Sequence, residues 1–306
     1  MAERAQAGAP RATYRVQLHA GFDLAAAAGI VPYLARLGVS HLYCSPILQA
    51  VPGSLHGYDV VDHGHVSADL GGREALEQLH GVLGDHGMGL LLDIVPNHMA
   101  AQGPENRWWW DVLENGPSSA WARAFDIDWD PPEPRLRRRV LVPVLGDHYG
   151  RVLEAGQLRL ARRGGSFVVS YFDHEVPVSP RTLDELLAVA AARAGRDDLR
   201  DMARAFGRLP HGARRDQAGI TRRHRDKERL YSRLEHLCAE DGTVAAAVDG
   251  AVELFNSDAD RLDSLLRRQN YRLARWQVAG EELDYRRFFD IPGLIGLRQE
   301  DRTVFS

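Results

Sequence analysis

The sequence predicts an α/β fold: a parallel sheet or barrel begun by three βα repeats, then interrupted by a long and mostly helical insertion. Three observations carry this. Strand-like and helix-like segments alternate over the first hundred residues. The apolar run Leu90-Leu91-Leu92-Asp93-Ile94-Val95, β-branched at its end and stopped by Pro96, reads as a buried parallel strand. After Asn115 the alternation breaks.

Residues 13–18 alternate and are β-rich, which predicts the first strand. Residues 24–37 carry apolar side chains at helical spacing and end at Gly38, a natural C-cap. Residues 39–44, stopped by Pro46, make the second strand, and a loop with Pro52, Gly53 and Gly57 follows. A helix over 73–86 places Leu76, Leu79, Val82 and Leu83 on one face between Gly72 and Gly87, ahead of the third strand. Residues 126–175 are rich in Pro, Gly and Arg, with short β runs at 140–145 and 167–171. Helices are expected at 181–193, 199–206, 217–239, 244–255 and 259–269, and a further strand at 283–289. The implied organisation is 11–116 for the first βα units, 117–282 for an inserted domain, and 283–306 for a return toward a fourth strand. Three or four βα units cannot close an eight-stranded barrel, so an open edge is expected and the chain reads as the N-terminal portion of something longer.

Composition narrows the function classes. A chain of 306 residues, 44% hydrophobic, can bury one large core or two modest ones. A net charge of −4 gives no general attraction to nucleic acid or anionic membranes. The clusters Arg135-Leu136-Arg137-Arg138-Arg139 and Arg222-Arg223-His224-Arg225 lack interleaved aromatics and read as solvated faces. Cys44 and Cys238, far apart in apolar or helical settings, read as buried free thiols in a reducing cytosol. Residues 1–11 lack the apolar core of a signal peptide, and no run approaches ~18 apolar residues. A cytoplasmic protein with neither nucleic-acid nor membrane partners is expected.

Ligands of parallel α/β folds bind at the C-terminal ends of the strands, where Asp93, Asn97 and His98 fall. The same three residues would also suit a plain strand-end turn. In the loop after the second strand, Tyr58 lies between Gly57 and Asp59, with His56 beside them. An aromatic face matches the C–H face of a pyranose while Asp59 and His56 bond its hydroxyls, although a buried tyrosine in a tight turn fits the same residues. Three adjacent tryptophans, Trp108 to Trp110, cannot all face one core; Trp109 is the candidate for a carbohydrate groove. Asp62-His63-Gly64-His65 is one residue short of the D-x-H-x-H strand-end ligand set, so no metal is expected. Gly87-Met88-Gly89 precedes a strand and lacks a third glycine, so no dinucleotide or other cofactor is expected.

Asp93-Ile94-Val95-Pro96-Asn97-His98 resembles the first signature region of the α-amylase superfamily of glycoside hydrolases and transglycosylases. More narrowly, the chain from about Arg11 onward is similar to the maltooligosyltrehalose synthase family. The similarity runs through Tyr14-Arg15-Val16-Gln17-Leu18, Ser40 to Leu48, Gly53 to Asp62, Trp108 to Gly116, Tyr271-Arg272-Leu273-Ala274 and Tyr285 to Asp290. That resemblance implies a partial (β/α)8 TIM barrel with the insertion after strand 3. It implies conversion of the reducing-end α-1,4 linkage of a maltooligosaccharide into an α,α-1,1 linkage by intramolecular transglycosylation, through a retaining pair of carboxylates ~5–5.5 Å apart. Tyr58 would carry over as the stacking platform, His98 as a hydroxyl donor, and Asp93 as the group orienting an arginine beside the nucleophile. The nucleophile Asp and acid/base Glu are expected beyond Ser306. Gly296-Leu297-Arg298-Gln299-Glu300-Asp301 imitates the nucleophile motif with Glu300 where the family has Asp, so Glu300 receives no catalytic role. The chain by itself is then expected to be inactive. The alternatives are another α-glucan hydrolase or transglycosylase of the superfamily, and a non-catalytic glucan-binding remnant.

Overall fold

The computed structural model describes residues 8–212 and 216–305. Residues 1–7, most of the stretch read for a signal peptide, lie outside the described residues, as does Ser306. The chain folds as two units. The first runs to Ala101 and takes in Gly293–Gln299; the second comprises Gln102–Pro292 and the residues from Glu300 onward.

The first unit opens with strand β1 (Thr13–Val16) and helix α1 (Leu24–Arg36), then β2 (His41–Cys44) and an antiparallel pair, β3 (Leu48–Ala50) and β4 (Val60–Val66). Helix α2 (Gly72–Asp85), β5 (Gly89–Leu92) and β6 (His98–Ala100) follow. Strands β1, β2 and β5 form a parallel sheet in that order. Asp23 starts α1 by accepting the Ala26 N–H at 2.8 Å, satisfying one of the donors a helix start leaves open. Leu24, Val31 and Leu34 of α1 and Leu79 and Leu83 of α2 pack with Leu42 and Cys44 of β2 in one buried cluster. Register aligns Arg15, Tyr43 and Leu91 in a single row. With side chains alternating along a strand, Leu42 and Cys44 turn to the helices, so Arg15, Tyr43 and, two residues past Leu91, Asp93 share the other face.

The third strand is shorter than the apolar run suggested. It ends at Leu92, and the Asp93 backbone is tied back by its N–H to Cys44 O at 2.9 Å. Ile94 is 68% exposed, because α1 and α2 cover one face of the sheet and the run reaches past them.

The second unit begins with α3 (Arg107–Asn115), β7 (Val140–Leu145), α4 (Tyr149–Glu154), β8 (Arg159–Arg163), β9 (Ser166–Tyr171) and β10 (His174–Pro177). Helices α5 (Leu183–Ala194), α6 (Asp197–Gly207), α7 (Gln217–Glu240), α8 (Gly242–Ser257) and α9 (Ala259–Arg267) follow, then β11 (Tyr271–Arg275). Strands β8, β9 and β10 make an antiparallel meander, while β7 pairs in parallel with β11. The helices fall within a few residues of the apolar periodicities, and Asp216, Asp241 and Asp258 cap three of them.

The first unit ends at Ala101, and Trp109 and Val112 of α3 are buried in the second. The structure corrects two expectations. No strand forms over 283–289; its pairing is an isolated bridge from Tyr285 to Ile127. Asp284 turns inward to accept the Leu141 N–H at 3.0 Å, and Phe289 adopts a φ of 50°, which ends the extended backbone. The cluster around Arg222 is not wholly a solvated face: Arg223 is 1% exposed and donates to Asn115 Oδ1 at 3.0 Å. Cys44 and Cys238 are both free and buried. Among the described residues, no helix is long and apolar enough to cross a membrane.

Candidate functional site

Apart from Trp109, the residues singled out in the sequence lie in the first unit at the C-terminal edge of the parallel sheet. The Tyr58 hydroxyl donates to Asp93 Oδ2 at 2.5 Å although the two lie 35 positions apart. Arg15 Nη2 donates to the Tyr58 oxygen at 3.1 Å and stands 4.0 Å from Asp93 Oδ2. The Arg15 guanidinium also sits 5.5 Å from the centre of the Tyr43 ring. The Tyr43 hydroxyl approaches the same Asp93 oxygen at 3.4 Å. A phenol, a guanidinium and a carboxylate thus form one hydrogen-bonded cluster with Tyr58 half-buried at its centre. The bond to Asp93 holds the Tyr58 phenol above its ordinary pKa, so it is a neutral donor at physiological pH.

The loop that carries Tyr58 is held from within. Ser54 Oγ donates to Asp59 Oδ1 at 2.5 Å, His56 Nδ1 lies 3.7 Å from the same oxygen, and the Tyr58 N–H donates to His56 Nδ1 at 3.1 Å. Asp59 and His56 therefore shape the loop, and His56 remains exposed. Gly57 has a φ of 77°, and a Cβ there would fall 2.6 Å from Pro46 O. Gly57→Ala is expected to lower the stability of the first unit by about 2 kcal/mol, read as a shift in denaturant midpoint; an unchanged midpoint would remove this role for the glycine.

His98 lies beneath the loop, 4% exposed. Its Nε2 is 3.0 Å from the Tyr58 carbonyl, which can only accept, so that nitrogen carries a proton; Nδ1 is 3.0 Å from Asn97 Oδ1. Burial pushes the His98 pKa below its usual value, with the nearby His63 adding to the effect. The imidazole thus braces the Tyr58 backbone. Asn97 is exposed, and its carbonyl accepts the Leu297 N–H at 2.9 Å. Strand β6 pairs with the short strand Leu294–Gly296, which anchors this segment.

Trp109 is not part of this cluster. Its ring is 2% exposed and packs edge-on against Phe125 and Tyr285 in the second unit, at 5.1 and 5.2 Å between centres. Helical spacing puts Trp109, Val112 and Leu113 on the inward face of α3, while Trp108 stacks on Trp121 at 4.1 Å. Glu300 pairs with Arg286 in the same unit. Of Asp62-His63-Gly64-His65, Asp62 meets His65 Nδ1 at 2.7 Å and His63 Nε2 meets Val95 O at 2.8 Å. Arg15 and Tyr43 were missed in the sequence. The alternation of β1 sets Arg15 on the face opposite Val16, but only register shows that this face meets Tyr43 and Asp93.

Residues 20–135 match the family model of the α-amylase catalytic domain. Over 305 aligned positions and 96% of its length, the chain is 35% identical to a Mycobacterium tuberculosis protein that carries the name maltooligosyl trehalose synthase. The chain is thus similar to enzymes of the α-amylase superfamily. Within that superfamily it is also 35% identical to an intracellular maltogenic amylase of Bacillus subtilis, over 107 residues that make up 35% of this chain and 17% of that one. The structure of maltooligosyltrehalose synthase from Arthrobacter ramosus superposes with a TM-score of 0.63 and 33% identity, over 97% of this chain and 28% of that one. The chain spans about 28% of the length of the Mycobacterium tuberculosis relative.

Proposed function

We propose that this chain contributes the glucan-gripping edge of a maltooligosyltrehalose synthase, an enzyme that converts the reducing-end α-1,4 linkage of a maltooligosaccharide to α,α-1,1. The observation that carries the proposal is the Arg15–Tyr58–Asp93 cluster at the C-terminal end of the parallel sheet. In this reading β1, β2 and β5, with α1 and α2 on one face, are the first wall of a (β/α)8 barrel, and the second unit is the insertion after its third strand. Tyr58 stacks on a glucose ring, Asp93 and Arg15 fix its orientation, and His98 with Asn97 positions Tyr58 from below. Asp93 and Asp59 are both engaged by protein hydroxyls, which favours binding over acid or nucleophile roles. The nucleophile and acid/base carboxylates then come from residues outside this chain, and no cofactor or metal takes part. Two free buried thiols and the absence of a membrane-crossing helix among the described residues support a cytoplasmic setting.

Calorimetric titration with maltopentaose tests the binding role. Tyr58→Ala is expected to weaken affinity about tenfold, the loss of roughly 1.4 kcal/mol of stacking and hydrogen bonding. Equal affinity for parent and variant would dismiss Tyr58 as the platform. Incubating the 306-residue chain with the same glucan is expected to leave its reducing ends intact. Formation of a non-reducing product, or release of glucose or maltose, would show that the reacting carboxylates are already present.

A further inference from the structure

The second unit contains a cleft of about 1280 Å³ between residues 126–136, the end of α9, β11 and residues 281–286. That exceeds the ~300–1,000 Å³ of ordinary small-molecule pockets and suits an extended ligand. Much of the charge along it is compensated internally. Arg267 meets Asp263 at 2.6 Å, and Arg286 meets Glu300 at 3.3 Å and Asp126 at 3.8 Å.

Three lining groups are not compensated. Tyr271 OH, Asp284 Oδ2 and Arg272 Nε are buried with no hydrogen-bond partner among the described residues. Tyr271 is 1% exposed and Asp284 7%. The other Asp284 oxygen accepts the N–H of Leu141, the β7 residue registered with Arg272 on β11. Leaving buried polar groups unpaired is costly, so a cleft whose lining keeps three of them is built for a partner that supplies their bonds. One phenol that gives and takes, one carboxyl oxygen and one guanidinium N–H match a run of hydroxyls. The lining carries seven carboxyl groups against four arginines, a balance that disfavours an anionic ligand. Tyr149 and Tyr285 add aromatic surface to its walls.

We propose that this cleft is a second carbohydrate site, in a different unit from the sheet edge, that takes a short neutral oligosaccharide through Tyr271, Arg272 and Asp284. The choice of an α-glucan as ligand rests on the function proposed above; the site itself rests on the three unpartnered groups. Burial lifts the Asp284 carboxyl to about 7, and either protonation state engages a hydroxyl, as donor or as acceptor.

Amide hydrogen exchange of the 306-residue chain, titrated with maltopentaose, reads the two places separately. Protection of residues 54–59 and 93–98 reports the sheet edge, and protection of 126–136 and 271–286 the cleft. Both are expected to be protected. Tyr271→Phe is expected to weaken the cleft response about tenfold and spare the sheet edge, and Tyr58→Ala to do the reverse. Should Tyr271→Phe disturb folding, seen as altered exchange without glucan, Arg272→Lys carries the same expectation. Protection confined to the sheet edge, or a cleft response unmoved by either variant, overturns the second site and leaves the proposed function standing. Protection confined to the cleft overturns the sheet-edge reading and keeps the second site. Protection at neither place overturns both.

Discussion

Replacing Glu114 with alanine is expected to cost the second unit about 3–5 kcal/mol, the effect of breaking a buried ion pair from one side. Glu114 on α3 and Lys227 on α7 are 5% and 6% exposed and directly paired. The Tyr231 hydroxyl donates to Glu114 Oε1 at 2.9 Å, and Asn115 Nδ2 donates to Oε2 at 3.0 Å. Burial by itself would depress the Lys227 pKa, but the charge and hydrogen bond of Glu114 outweigh it and the net shift is upward. Without Glu114 the ammonium would keep Glu228 at 3.2 Å, on the exposed side, and Asp111 at 4.0 Å, too far for a hydrogen bond. The double variant Glu114→Gln/Lys227→Met retains an acceptor for Tyr231 and removes the charge. It is expected to recover most of the loss. Denaturant unfolding of the parent, Glu114→Gln, Lys227→Met and the double variant completes the cycle, with Glu114→Ala measured beside it. A Glu114→Ala variant within 1 kcal/mol of the parent would mean that water reaches the pair and screens it.

The second large effect depends on pH. The Asp284 carboxyl is raised from 3.8 to about 7, chiefly by burial, with the charge of Asp128 adding to the rise and the Leu141 N–H opposing it. A carboxyl whose folded pKa exceeds its unfolded one favours the fold in its protonated form. That contribution is complete below about pH 4 and is lost as pH rises through about 7. A rise of about three units corresponds to roughly 4 kcal/mol. Asp284→Asn does not titrate and keeps an acceptor for the Leu141 N–H. The stability of the variant relative to the parent is therefore expected to grow by about 4 kcal/mol between pH 4 and pH 8. A difference that stays flat across that range would show Asp284 to be ionised at little cost in the folded protein.

Helices α5 to α9 were legible because apolar spacing acts within one or two turns. The strand-end position of Asp93 and the loop position of Tyr58 were legible for a similar reason: Pro96 and the loop glycines punctuate the chain locally. Trp109 was misplaced because three neighbouring tryptophans occupy successive helical angles, and composition does not say which angle faces inward. The run 283–289 has strand composition, yet Asp284 at its centre finds its partner, the Leu141 N–H, 143 positions away.

Residue order sufficed for the succession of elements, for the resemblance to α-amylase enzymes, and for which strand end holds polar groups, since all three depend on neighbours along the chain. The meeting of Arg15 and Tyr43 with Tyr58 and Asp93, the burial of Glu114 against Lys227, and the three unpaired groups at Tyr271, Arg272 and Asp284 came with the folded chain. These depend on strand register and helix packing between distant segments, where a shift of one residue turns a side chain to the opposite face.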